Sequence, residues 1–246
     1  MDFSHHFSDE NIPFGIASSV KHQDPQAVTR LGNTVLFLAD LQDNGLFGNL
    51  PKGVFKQGTL NEFAALPRSK SVEVRQTIQD VFRQDGIGGF PSAAQEDVSS
   101  VKMHLPVEIK DFSGTWSPRK HSDTITNCSD FSCSLEHVTN AGRIVIGSTK
   151  PPPSFFKFPI GYQGRTSSIV VSGTDIERPM GQFRDKSVTD PLSEKAIIYG
   201  PSKQVDYEVE LAAIIGKPLP MRQRLNAEDA EEHIFGFVIL NDWSCE

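Results

Sequence analysis

The chain lacks a disulfide framework, a long apolar run and an excess of basic charge, and each absence closes off a class of function. Only three cysteines, Cys128, Cys133 and Cys245, stand among the 246 residues. They are too few to staple a small secreted fold, and their spacing fits no zinc-ligand pattern. A reducing, cytoplasmic setting is the expectation. No apolar run reaches the about 18 residues of a membrane span. The N-terminal stretch is polar, with His5, His6, Asp9 and Glu10, and does not read as a signal peptide. The sequon Asn127-Cys128-Ser129 therefore carries little weight. Lys and Arg number 24 against 31 Asp and Glu, a net charge of -7. A nucleic-acid face needs clustered cations, and a short basic stretch such as Arg222 to Arg224 reads as solvated loop. Tyr and Trp are scarce, at 3 and 2, whereas Phe is abundant at 17.

The length suffices for one large domain or two smaller ones with their own cores. Residues 11–58 read as short strands, with apolar runs at 14–18 and 34–38 bounded by Gly, Asn and Asp. Thr59-x-x-Glu62 has the form of a capping box before Phe63 and Ala64. Val74, Ile78, Val81 and Phe82 then follow helical spacing. Gly86-Ile87-Gly88-Gly89 lacks the flanking strand and helix of a dinucleotide loop and reads as a flexible linker. From about Met103 the texture changes. Pro151-Pro152-Pro153 precedes Phe155, Phe156 and Phe158. Residues 168–172, 207–215 and 235–240 read as strands, and 226–233 as a short helix. The expected fold is mainly β with some α (α+β): a small N-terminal domain over 1–102 and a β-rich domain over 103–246.

Carboxylates are the residues most suggestive of chemistry. In Tyr207-Glu208-Val209-Glu210-Leu211, side chains alternate faces, so Glu208 and Glu210 share one and Val209 and Leu211 the other. Two like charges on one face repel unless a cation or solvent lies between them, and spacing leaves both readings open. Asp242, at the end of the run 235–240, is a further candidate ligand or a turn cap. Hard oxygen donors of this kind suit Mg2+ or Ca2+ rather than zinc. Asp130 reads as lying near the start of a helix that ends at Gly142, where an acid is favoured. His137 would follow on the same side about 10 Å away, as a structural histidine or as a base.

Several motifs in order resemble the fumarylacetoacetase family. They include His104-Leu105-Pro106, Asp130-Phe131 with His137 and Asn140-x-Gly142, and Pro159-Ile160-Gly161-Tyr162-x-Gly164-Arg165. Residues 167–174, Arg178-Pro179-x-Gly181-Gln182 and His233-Ile234-Phe235-Gly236 running to Asn241-Asp242-Trp243-Ser244 belong to the same pattern. Asn11-x-Pro13-Phe14-Gly15 and Thr59-Leu60-Asn61-x-Phe63 resemble the family's N-terminal domain. The resemblance implies an SH3-like N-terminal barrel followed by a mixed β-roll catalytic domain, incomplete here, and a homodimer. It implies hydrolysis of a carbon–carbon bond in 4-fumarylacetoacetate, a small diketo acid, at the last step of tyrosine and phenylalanine breakdown. By motif, Asp130, Glu208, Glu210 and Asp242 match the metal ligands, His137 the general base and Tyr162 a substrate-binding tyrosine.

Three departures accompany the resemblance. In the family about as much chain again follows Asp242-Trp243-Ser244, carrying further pocket residues and strands. The expectation is a chain that binds a divalent cation more readily than it turns over substrate, or one belonging to a related hydrolase or decarboxylase of the wider superfamily. Residues 114–129 read as an insertion; His121 lies near the expected place after Asp111, but Gly114 stands where the ligand aspartate would have to be, whereas Asp130 with His137 has the family spacing. Where the family carries a substrate-binding arginine after Gly142, counting places Ile146.

Overall fold

A computed structural model describes residues 2–109, 127–158, 161–185, 187–190 and 192–245. The apparent insertion lies outside them as far as residue 126. The chain divides into two compact units, one made of Met1–Val107 with Val171–Glu246 and the other of Glu108–Val170.

In the first unit, five strands pair in an antiparallel sheet. They are β1 (Phe14–Ser19), β2 (Gln26–Leu31), β3 (Thr34–Phe37), β4 (Gln95–Asp97) and β5 (Val101–His104). Their order is β4-β3-β2-β1-β5. Leu31 pairs with Thr34 across a two-residue loop. Gly32 opens that loop at φ 57°, a conformation that side chains with a Cβ avoid. β4 and β5 lie on opposite edges, yet only the 3-10 turn Val98–Ser100 joins them. Such a link reaches about 14 Å, whereas a flat five-stranded sheet would hold its edges about 19 Å apart. The sheet therefore curls inward without closing. Asp97 caps the crossover turn, accepting from the Ser99 amide at 2.9 Å and the Ser99 hydroxyl at 2.6 Å.

Helices α1 (Leu38–Asp43), α2 (Asn61–Ala64) and α3 (Arg68–Asp85) join this sheet in one core. α1 stands where the sequence read only strands. It buries Leu38, Ala39 and Leu41, a spacing too short to separate helix from strand by period. Val74 and Ile78 are the buried face of α3, as helical spacing predicts. Part of the abundance of Phe is used here. Phe47, Phe55, Phe63 and Phe14 form a chain of edge-to-face rings with centroids 5.0–5.5 Å apart.

Two local expectations fail. The capping box at Thr59 does not form, since Leu60 precedes α2 and no side chain caps it. Leu60 is buried and its amide donates to the Pro106 carbonyl at 2.8 Å, so tertiary packing fixes this helix start. Residues 86–89 are no linker either. They form a 3-10 turn folded against α3, where a Cβ on Gly89 would lie 2.8 Å from Val81 Cγ1. Gln95 Nε2 clasps the Ile87 and Phe90 carbonyls at 3.1 and 2.8 Å.

The second unit pairs β6 (Asn127–Phe131) with β7 (Gly161–Arg165) and carries α4 (Leu135–Ile146). Asp130 is therefore on a strand, not at a helix start. Ser134 begins the helix, its hydroxyl accepting from the His137 amide at 3.2 Å, and Gly147 at φ 67° ends it. Residues 168–172 form no strand: turns closed by Ile169 N to Thr166 O and Thr174 N to Val171 O flank them. β-Branched residues favour strands only where a partner supplies the ladder.

The first unit also holds two antiparallel pairs, β8 (Met180–Arg184) with β9 (Ile197–Pro201) and β10 (Val205–Ile215) with β11 (Ile234–Cys245). The predicted helix before β11 is a 3-10 helix, Ala227–His233. Among the described residues, no helix is long and apolar enough to cross a membrane.

Candidate functional site

The ribbon β10–β11 carries the carboxylates. Its register sets Glu208 opposite Asp242, Tyr207 opposite Trp243 and Glu210 opposite Leu240. Directly opposed residues project to the same side, and alternate residues along a strand do too. Glu208, Glu210 and Asp242 therefore share one face. Opposed Cβ atoms lie about 5 Å apart and those two residues along about 7 Å. Asp242 sits inside β11, which runs to Cys245, rather than at a strand end.

Asp242 is exposed, but along β10 the exposure of the two faces is the reverse of a solvated carboxylate surface. Glu208 and Glu210 are half-buried, while Val209 and Leu211 on the opposite face are 75% and 72% exposed. Three acceptor-only carboxylates supply hard oxygen donors, the chemistry that Mg2+ and Ca2+ take. Among the described residues, no three His, Cys, Asp or Glu side chains are gathered closely enough to hold an ion. The backbone supplies the shared face, not a closed cage.

In the second unit, Asp130 and Tyr162 are direct partners across β6–β7 and project to one side. Asp130 is half-buried and Tyr162 is 70% exposed. His137 lies in the first turn of α4, on an exposed stretch of the helix. Ile146, where the family pattern expects arginine, ends that helix.

One titratable cluster escaped the sequence reading. The His22 ring places Nδ1 2.5 Å from Glu96 Oε1 and Nε2 2.9 Å from Asp40 Oδ2. The ring stacks on Phe37 at 3.7 Å, and Ser19 Oγ donates to the same Glu96 oxygen at 2.8 Å. Its members are distant in sequence, so no local pattern announces it. With both ring nitrogens engaged, the cluster joins the β1–β2 loop, α1 and β4 as a structural pin.

Two family models match the chain in order. "Fumarylacetoacetase N-terminal" covers residues 10–106, and "Fumarylacetoacetate (FAA) hydrolase C-terminal" covers residues 127–246. Among curated proteins, it is 37% identical to a fumarylacetoacetase of Aspergillus fumigatus over 97% of this chain and 54% of that protein. It is 36% identical to the fumarylacetoacetase of Oryza sativa, over 97% and 53% respectively. The Rattus norvegicus fumarylacetoacetase is 33% identical, over 97% and 54%. The chain thus spans about half the length of the curated relatives it matches.

Proposed function

We propose that this chain, which belongs to the fumarylacetoacetate hydrolase family, carries the metal-binding and general-base portion of an enzyme that splits 4-fumarylacetoacetate into fumarate and acetoacetate. The observation that carries this reading is the common face of Glu208, Glu210 and Asp242 on β10–β11. These three would hold Mg2+ or Ca2+, with Asp130 a further ligand by family pattern. Bound there, the cation supplies Lewis-acid polarisation of the substrate's keto oxygens.

The remaining roles fall to this chain's own groups. A ring nitrogen of His137 takes a proton from water as the water oxygen bonds to the carbonyl carbon. The carbon–carbon bond then breaks, its electron pair leaves with the acetoacetate carbon, and that carbon takes up a proton. Fumarate departs as the new carboxylate. The Tyr162 hydroxyl donates a hydrogen bond that orients the substrate. The inward-curled sheet with its 3-10 crossover supports an SH3-like domain, and the long ribbon supports the start of a β-roll; the family's homodimer completes the reading.

Calorimetric titration with MgCl2 and CaCl2 tests the site. Glu208→Ala and Asp242→Ala should each weaken binding, and unchanged affinity in both would refute the ligand assignment. Loss of fumarylacetoacetate absorbance with cation present tests the reaction. Cation binding without substrate loss would make the chain a cation-binding family member rather than a hydrolase.

A further inference from the structure

The shared carboxylate face, with Asp242 directly opposite Glu208, depends on the register of β10 against β11. A slip of one residue would carry Asp242 to the other face, away from Glu208 and Glu210. Little in the ribbon itself specifies that register. Both faces are largely apolar beyond the carboxylates, with Leu211, Ala213, Phe237 and Ile239 on one and Ala212, Ile214, Val238 and Leu240 on the other. The strands are joined by residues 216–233, a connection too long to dictate pairing as a tight hairpin turn does.

One feature breaks the ambiguity. Ile214 pairs with Gly236 but Ile215 pairs with Ile234, so Phe235 is the extra residue of a β-bulge. Its ring leaves the ladder and joins the phenylalanine core of the five-stranded sheet. It stands edge-on to Phe63 at 5.5 Å between centroids and stacks with Phe14 at 6.2 Å. The neighbouring backbone is pressed to the same place, since a Cβ on Gly216 would collide with the Ala64 carbonyl oxygen. Arg68 Nη2 reaches Glu231 Oε1 at 2.8 Å on the approach to β11.

We propose that Phe235 is a positioning residue: locked between Phe14 and Phe63, its bulge sets the strand register that puts Glu208, Glu210 and Asp242 on one face. This rests on the reading of those carboxylates as cation ligands, and it gives the N-terminal sheet a role in the site. The bulge acts at one end of the ribbon and the carboxylates lie toward the other. Antiparallel pairing transmits register along the whole length without any contact between them.

The test uses the full chain with Phe235→Ala, Gly216→Ala and, as a control on the exposed face, Ile239→Ala. Three readouts are taken: CaCl2 titration, amide exchange, and near-ultraviolet circular dichroism of the Tyr207–Trp243 pair, whose rings are 6.4 Å apart. The first two variants should weaken Ca2+ binding about tenfold, the scale of losses beyond the ligands themselves. They should also alter the Tyr207–Trp243 signal and speed exchange along β10–β11, while β1–β3 amides stay protected. Ile239→Ala should change none of these. Unaltered ribbon exchange and aromatic signal in both variants would overturn the proposal. If the wild-type chain binds no cation, the ligand reading fails, and the ribbon readouts still decide whether Phe235 sets the register.

Discussion

The five-stranded sheet and the β10–β11 ribbon are both rich in apolar residues, yet they use them in opposite ways. Ile16, Leu31 and Leu36 of the sheet are sealed, with Phe55 and Phe63, in a core shared with three helices. In the ribbon, Val209, Leu211 and Ile239 stand in the open. The sheet has layers to pack against, while the ribbon is anchored at one end by the ring of Phe235. Apolar pattern marks which residues are able to form a core, but only a facing layer turns them into one.

The sharpest way to break that contrast is truncation within the phenylalanine cluster. Phe63→Ala should cost about 3–5 kcal/mol in chemical denaturation, because it opens a cavity among Phe14, Phe55 and Phe235. A loss under 1 kcal/mol would show that the cluster is not the centre of the core. Next comes the His22 pin. His22→Ala leaves Glu96 and Asp40 facing each other without the ring between them and should cost about 3 kcal/mol. A denaturation midpoint equal to wild type would remove the pin from the account.

A smaller effect is expected at the crossover turn. Hydrogen bonds from the Ser99 side chain, then its backbone amide, hold the Asp97 carboxyl below its ordinary value of 3.8. A depressed carboxylate stabilises the fold fully above its unfolded value, and that contribution fades as pH falls through the lower folded value. Asp97→Ala should therefore lower stability slightly at pH 7, and the gap to wild type should close below about pH 3.8. A gap that widens on acidification would contradict this origin. The smallest change belongs to the ribbon's open face. Ile239→Ala, at a side chain 81% exposed, should shift stability by no more than about 0.5 kcal/mol. A larger loss would mean that this face is covered in solution.

Much of the candidate site was legible because strand alternation is a local rule. Glu208 and Glu210 sharing a face, and Val209 and Leu211 the other, needs only a period of two. The buried face of α3 was legible for the same reason, at a period of 3.6. Motif order likewise carried the family resemblance without any geometry. Apart from α1, whose short apolar run left the period ambiguous, the errors were non-local. Thr59 did not cap α2 because Leu60 is held by the Pro106 carbonyl. Residues 86–89 became a packed turn because α3 lies against them. Asp130 joined a strand because β7 was there to pair with it.

By itself, then, the sequence determined the family, the alternation that pairs Glu208 with Glu210, and the supply of apolar residues for a core. Tertiary structure alone decided that Asp242 stands opposite Glu208, that Phe235 leaves the ladder for the core, and that His22 meets Glu96 and Asp40. The physical reason is the same in each case. Periodicity is written in neighbouring residues, whereas register, bulge and side-chain pairing depend on which distant segment arrives alongside.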